Sequence, residues 1–365
     1  MRIKFFRYNT VQIFGLLLVM SLALMLGACT KDGDVIYMVD PNDPQPSDSP
    51  LIVAVYDANA VGDCSYNDLI YKGIENVAVK YGARAMQISP SSFSEGKAFL
   101  EKAFAQAVTA TDTLRRLLIV TSTAYDSLVR ANNKYLESNS YTDLLYLETP
   151  KPLEGKGSTL FVDYYGAMYE AGYFAPLFGK SILVAAANPV NESVSNAVSA
   201  FADGFNDSPY EKNKLKTEYI GSKIDEGFSI SDSAAVQLLN SNAEDNLDGQ
   251  LIVPICGSSS NTIARISDNT QFYRIVGIDR VMNSSLSDFS VVKHIDKAVS
   301  ETIEQWMNTG TMEKHRRLGI AAGYTSVVFH PHSNDFENIV NKYITQETLD
   351  IVLKKAIEME GQDEH

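Results

Sequence analysis

The sequence is poor in the residues that usually announce catalysis or a disulfide framework. It has five histidines and three cysteines in 365 residues. No Gly-x-Ser-x-Gly elbow is present, so the nucleophile turn of a serine hydrolase is excluded, and no Gly-x-x-x-x-Gly-Lys-Ser/Thr loop is present to cradle a nucleotide phosphate. His330-Pro-His332 is the one close histidine pair; with proline between the rings and no cysteine or third histidine nearby, it reads as an exposed loop rather than a metal site. Cys64 stands beside Asp63 but has no histidine partner in the sequence, which argues against a catalytic thiol. Positive charge is also scarce: 31 Lys and Arg face 45 Asp and Glu, for a net charge of −14. That balance opposes binding to nucleic acid and electrostatic docking on anionic lipid. Beyond residue 28 no run is long and apolar enough to span a bilayer.

What is present begins with a leader. Arg2, Lys4 and Arg7 form a basic start, Ile13 to Met25 an apolar core, and Leu26-Gly27-Ala28-Cys29 follows. The tetrapeptide resembles the lipobox of bacterial lipoproteins. The resemblance implies cleavage before Cys29 and lipidation of its thiol, hence an anchor in a membrane of the bacterial cell envelope, facing the periplasm or the cell surface. Residues 29–50 are polar and proline-rich and read as a flexible tether. Cys64 and Cys256 remain, each in an expected loop after a strand; in an oxidising compartment a bridge between them would clamp two lobes together, whereas apart they are ordinary half-buried thiols.

From Leu51 onward strands and helices alternate. Leu51-Ile-Val-Ala-Val-Tyr56 is a buried parallel strand by pattern, and Asp57 to Asp63 a loop. Ser65 stands at an N-cap position with Asp68 three residues on, and Leu69, Ile70, Ile74, Val77 and Ala78 repeat at helical spacing over 67–81. Strands follow near 84–88, 117–121, 144–147, 182–186, 216–221, 251–255, 273–278, 289–292 and 324–329. Helices fall at 94–108, 125–136, 165–179, 193–205, 231–241, 260–267, 293–307 and 346–359. Repeated βα units predict an α/β fold with parallel sheets, and so many units at this length predict two Rossmann-like lobes. The chain is expected to cross between lobes at Phe161–Asp163, near Val291 and near Gly319. This gives a three-strand hinge, a first lobe of 51–162 with 291–314, and a second of 163–290 with 315–365. Ligands of such folds lie in the cleft, at the carboxyl ends of the strands.

Within this pattern a set of ordered motifs resembles the basic membrane lipoprotein (BMP) family, purine nucleoside receptor-like substrate-binding lipoproteins of the type I periplasmic-binding-protein fold. They are Asp57…Gly62-Asp63-Cys64-Ser65-Tyr66-Asn67, Ala171-Gly172-Tyr173, Phe201-Ala-Asp-Gly204-Phe205, Glu226-Gly227-Phe228…Asp232, Ile275-Val-Gly277-Ile-Asp279, Ser290-Val-Val-Lys293 and Leu318-Gly319…Gly323. The match covers nearly all of residues 50–330. Departures are the family's paired glycines, replaced here by Asn59 and Ala60; its lysine, replaced by Cys64; and its glycine-rich loop, which reads Gly257-Ser-Ser-Ser-Asn261.

The resemblance implies a lipid-anchored binding protein that delivers a small ligand, a purine nucleoside before others, to the membrane permease of an ABC transporter, with no cofactor, no metal and no catalysis. It places Tyr66 and Phe228 on the faces of the base, Asp279 and Lys293 at the ribose, and Asp57, Asn67 and Gly257 nearby. Asp126 would be a second ribose carboxylate. A base needs aromatic faces, and a cis-diol needs carboxylates plus a cation that donates back. The residues alone also admit plainer roles: core aromatics for Tyr66 and Phe228, turn-forming aspartates for Asp57 and Asp279, a helix N-terminal charge for Asp126. The altered loops equally suit a sugar or another small polar ligand. A surface interaction lipoprotein with a degenerate cleft is the remaining alternative.

Overall fold

The structure is a computed structural model that describes residues 35–37, 48–109, 113–211, 214–243, 250–270, 273–282, 286–330 and 334–362. The leader, Cys29, most of the expected tether and His332 lie outside the described residues. Val35–Tyr37 (β1), expected within the tether, instead pairs antiparallel with Arg84–Ile88 (β3).

The first lobe is a seven-stranded sheet. In spatial order β1 and β3 are followed by Leu51–Val55 (β2), Arg116–Val120 (β4), Thr142–Leu147 (β5), Ser158–Val162 (β6) and His315–Leu318 (β13). All but β1 run parallel. The strands are apolar runs because both faces are covered. Leu117 and Ile119 join the core under Tyr66–Tyr81 (α1) and Ile295–Thr309 (α8), which Trp306 completes. Leu118 and Val120 join the core under Phe93–Thr109 (α2) and Asp126–Asn133 (α3). The stripe Ile70, Gly73, Ile74, Val77, Ala78 is the buried face of α1, and Gly82 ends that helix in the left-handed conformation.

The second lobe holds a parallel four-stranded sheet. Its order is Tyr273–Ile275 (β10), Gln250–Ile255 (β9), Ser181–Ala186 (β7) and Lys214–Tyr219 (β8). Tyr165–Phe174 (α4) and Glu192–Asp207 (α5) pack closely together, and Asp232–Ser241 (α6) lies beside Ser258–Thr270 (α7). A small sheet of Gly277–Asp279 (β11), Phe289–Lys293 (β12) and Thr325–Phe329 (β14) adjoins it. Asn334–Tyr343 (α9) and Gln346–Gln362 (α10) end the described chain.

Three segments join the lobes: Asp163 between β6 and α4, His294 between β12 and α8, and Gly319–Tyr324 between β13 and β14. Register moves two of the expected boundaries. β12 stays in the second lobe's small sheet through Lys293, which pairs with Thr325, so the crossing falls after 293 and not at 291. Residues 315–318, assigned to the second lobe by sequence, pair with β6 in the first. That strand reads His-Arg-Arg-Leu, too polar to register as a strand, and it is tolerated as the sheet's edge. The expected strand 273–278 is two strands: Val276 donates its N–H to Ile252 O (2.8 Å) and separates β10 from β11, which belong to different sheets.

Candidate functional site

The carboxyl ends of β2, β4, β5, β9, β11 and β12 converge on a cavity of about 480 Å³ between the lobes. That volume lies in the range of small-molecule sites. Asp57, Tyr66, Asn67, Phe228, Gly257, Asp279 and Lys293 all line it. Asp126 does not. Its carboxylate is taken by Arg130 Nε (2.8 and 3.0 Å) on the next helical turn and by the Tyr146 hydroxyl (3.2 Å), outside the cavity lining. An aspartate opening a helix with arginine four residues on satisfies itself locally.

The first lobe contributes the loop after β2. Asp57 accepts from Ala58 N–H (2.8 Å) and Ser122 Oγ (3.0 Å); burial pushes its carboxyl up, and Asp225 of the second lobe adds to the push. The loop then winds through left-handed residues at Asn59, Gly62 and Cys64. Here the structure corrects the expected cap. Ser65 makes no capping bond; Asp63 caps α1, accepting from the N–H groups of Ser65 (2.8 Å), Asn67 (3.0 Å) and Asp68 (3.2 Å). Asn67 Nδ2 also donates to Asp63 (2.9 Å). Ser65 is thereby free to reach across the cleft, where its hydroxyl donates to Asp279 Oδ2 (2.8 Å). A second bond over the same gap runs from Asn261 Nδ2 to the Asp63 carbonyl.

The second lobe answers with Asp279 and Phe228. Asp279 ends β11 in a left-handed conformation (φ 66°) and donates its N–H to the Tyr164 hydroxyl (2.8 Å). Burial raises its carboxyl; Lys293 and its hydroxyl partners oppose that rise. Phe228 is held from behind: Ser258 Oγ donates to its carbonyl (2.6 Å), and its ring lies against Gly257, where a Cβ would come within 3.2 Å of Phe228 Cδ1.

Lys293 ends β12 instead of opening the helix expected over 293–307, which starts at Ile295. Its ammonium donates to Glu148 Oε2 (2.5 Å) and lies 5.4 Å from the Tyr66 ring centroid and 5.1 Å from that of Tyr164. Both partners of this ion pair are nearly buried. The sequence reading missed Glu148, Tyr164, Phe93 and Ser122, all of which line the cavity. Glu148 carried a usable signal: it follows the apolar strand Leu144–Leu147 as Asp57 follows β2, at the end of the sheet where ligands gather.

Cys64 is exposed, Cys256 is buried with its thiol pushed up to about 12 by burial, and the two are not joined. Among the described residues no three metal-ligating side chains cluster, and no helix is long and apolar enough to cross a membrane. His330 Nε2 shares a hydrogen bond with Ser290 Oγ (2.8 Å).

No family model and no curated protein sequence matches the chain. Solved structures do. An ABC transporter solute-binding protein from Aeropyrum pernix K1 is similar with a TM-score of 0.65 and 12% identity, over 86% of this chain and 92% of that one. A periplasmic solute-binding protein from Actinobacillus succinogenes 130z with bound D-allose gives 0.57 and 15%, over 80% and 100%. A transcriptional activator of the comK gene from Bacillus halodurans gives 0.58 and 14%, over 82% and 99%. At these identities the likeness establishes the fold. The chain is a two-lobed α/β protein of the type I periplasmic-binding fold. ABC solute-binding proteins are prominent among the structures that share it.

Proposed function

We propose that this chain is a solute-binding protein of an ABC-type uptake system. It is held at the envelope membrane through Cys29 and closes its lobes over a purine nucleoside. One observation carries the reading: the inter-lobe cavity is lined by aromatic residues from both lobes, Tyr66 and Phe228, and by the buried acid–amine set Asp279, Lys293 and Glu148. The rings offer stacking surface to a base, and the charged groups offer acceptors and a donor to a sugar. Stacking and charge-assisted hydrogen bonds favour the closed arrangement, so no covalent chemistry is needed.

A second reading keeps the fold and changes the solute to a free sugar. It is favoured by the D-allose bound in the structurally similar protein from Actinobacillus succinogenes. Calorimetric titration of the full chain with adenosine, guanosine, inosine, D-ribose and D-allose separates the two. Heat with nucleosides and none with the sugars supports the first; the reverse selects the second. Native mass spectrometry of solute carried through purification identifies the ligand directly.

A further inference from the structure

The crossings between the lobes meet a carboxyl group from the last helix of the described chain. Val352, Ala356 and Glu360 recur at four-residue spacing along α10 and are buried, and α10 packs on α4. An acid at the end of such a stripe costs free energy unless its oxygens find donors. Glu360 finds them at the hinge. Its Oε1 accepts from the N–H groups of Gly166 (3.2 Å) and Ile320 (3.3 Å), and Oε2 accepts from Ile320 (3.1 Å). Gly166 lies in the first turn of α4, three residues past the crossing at Asp163, where a helix leaves N–H groups without intrahelical partners. Ile320 lies within the crossing Gly319–Tyr324. One side chain of the second lobe therefore ties two of the three crossings together. The third joins them, since His294 donates its N–H to the Tyr324 carbonyl (2.8 Å).

The backbone leaves room for this carboxyl. A Cβ at Gly319 would sit 2.1 Å from Glu360 Oε2, and one at Gly166 would sit 3.1 Å from Oε1. Arg317 closes the cluster from β13. It pairs with buried Asp163 through Nε (2.9 Å) and Nη2, and Nη2 also reaches the Glu360 carbonyl (3.4 Å). Asp163 and Arg317 are the charged groups that act on the Glu360 carboxyl, and burial and then Asp163 push it up to about 7. Glu170 follows Gly166 by one turn on α4, and Lys354 and Glu358 of α10 itself are exposed.

We propose that Glu360 is the pin of the hinge: from α10, outside the cleft, its carboxyl holds the crossing segments together and so sets how the two lobes stand to one another. The protonated group holds them best, because it keeps an oxygen for both N–H groups and adds no charge beside Asp163. The inference concerns the hinge and goes beyond the solute-binding reading; it rests on that reading only where affinity is measured.

The test compares the full chain with E360Q and E360A at pH 6 and pH 8, without solute, by hydrogen exchange at the Gly166 and Ile320 amides and by small-angle X-ray scattering. With the intrinsic rise of exchange with pH divided out, the unaltered chain should lose protection at both amides by at least about threefold between the two values. Gln keeps the shape and an Oε1 that reaches both N–H groups, but it does not titrate. E360Q should therefore stay within about twofold of the unaltered chain's pH 6 protection at both values. E360A should lose about tenfold at both amides and enlarge the radius of gyration, while Ile119 in the first lobe's core stays protected. If E360A does not fold, the pH comparison with E360Q decides alone. The same pH dependence in E360Q as in the unaltered chain, or unchanged protection and scattering in E360A, overturns the pin. Inosine and D-allose titrated into the same proteins then separate the two readings. Affinity weakened in E360A and kept in E360Q couples the pin to the site, equal affinity in all three overturns that coupling, and silence toward both solutes counts against the solute-binding reading while the exchange result stands.

Discussion

The hydroxyl of Ser65 donates to Asp279 Oδ2 at 2.8 Å, joining residues 214 positions apart and on opposite lobes. It does so because Asp63 has taken over the cap of α1. The bond and its neighbour from Asn261 to Asp63 both tie the loop before α1 to the second lobe. A buried hydrogen bond to a charged group is worth about 1.5–3 kcal/mol. S65A should therefore favour the open form, enlarging the radius of gyration in solution X-ray scattering and weakening solute affinity by about tenfold or more. Scattering identical to that of the unaltered chain would argue that the bond contributes nothing.

Phe228 and Asp126 make a paired prediction about the site. Removing a stacked aromatic costs a base about 1–3 kcal/mol, so F228A should weaken nucleoside binding by about ten- to a hundredfold. D126N should leave it unchanged, because Asp126 is bound to Arg130 and Tyr146 outside the cavity lining. Titration of both variants with inosine decides the matter; a strong effect of D126N would restore the expectation drawn from sequence.

Helices α4 and α5 meet at two glycines, and this contact should dominate the stability of the second lobe. A Cβ at Gly204 would sit 1.9 Å from the Tyr169 carbonyl oxygen, and one at Gly172 would sit 2.0 Å from the Phe201 carbonyl oxygen. Backbone cannot yield to either, and the packed hydroxyl bonds Tyr165–Asp203 and Tyr169–Asp207 must follow any separation. G204A should cost about 2 kcal/mol or more in urea unfolding, whereas a helical glycine in open space gains from alanine. An unaffected midpoint would mean that the helices do not touch there.

Stability should fall as pH rises from about 5 to 8. Burial pushes the Glu170 carboxyl from an ordinary 4.5 to about 7, and burial, then the charge of Asp163, does the same for Glu360. In that window the folded chain holds protons that the unfolded chain has released. The folded state is therefore favoured most below the ordinary value, and the advantage is lost as pH passes through about 7. For Glu170 the effect is on the order of 3 kcal/mol. Melting temperatures at the two pH values should differ in this direction, and E170Q should narrow the gap. A gap unchanged in E170Q would place the pH dependence elsewhere.

The order of strands and helices was legible because strands covered on both faces must be continuous apolar runs, as in Arg116-Leu-Leu-Ile-Val120, while surface helices carry a stripe, as in α1. The elements that escaped lack those marks. β1 is three residues beside a polar segment, and β13 is His-Arg-Arg-Leu; each is a strand only because a sheet edge offers it hydrogen-bond partners. Similarly, Gly172 and Gly204 were visible in sequence as members of a motif, and the structure supplies the reason as a close crossing of two helices.

The amino-acid order by itself determined the alternating α/β architecture, its division into two lobes, and the placing of Tyr66 at the start of a helix and Asp279 at the end of a strand. Those features follow from burial and backbone hydrogen bonding, which act over a few neighbouring residues. Only the tertiary structure decided that Glu148 and not Asp126 shares the cavity with Lys293, that Ser65 spans the cleft instead of capping its helix, and that Lys293 belongs to a strand. Such choices depend on which side chain, more than a hundred positions away, occupies the facing wall, and no local pattern encodes that distance.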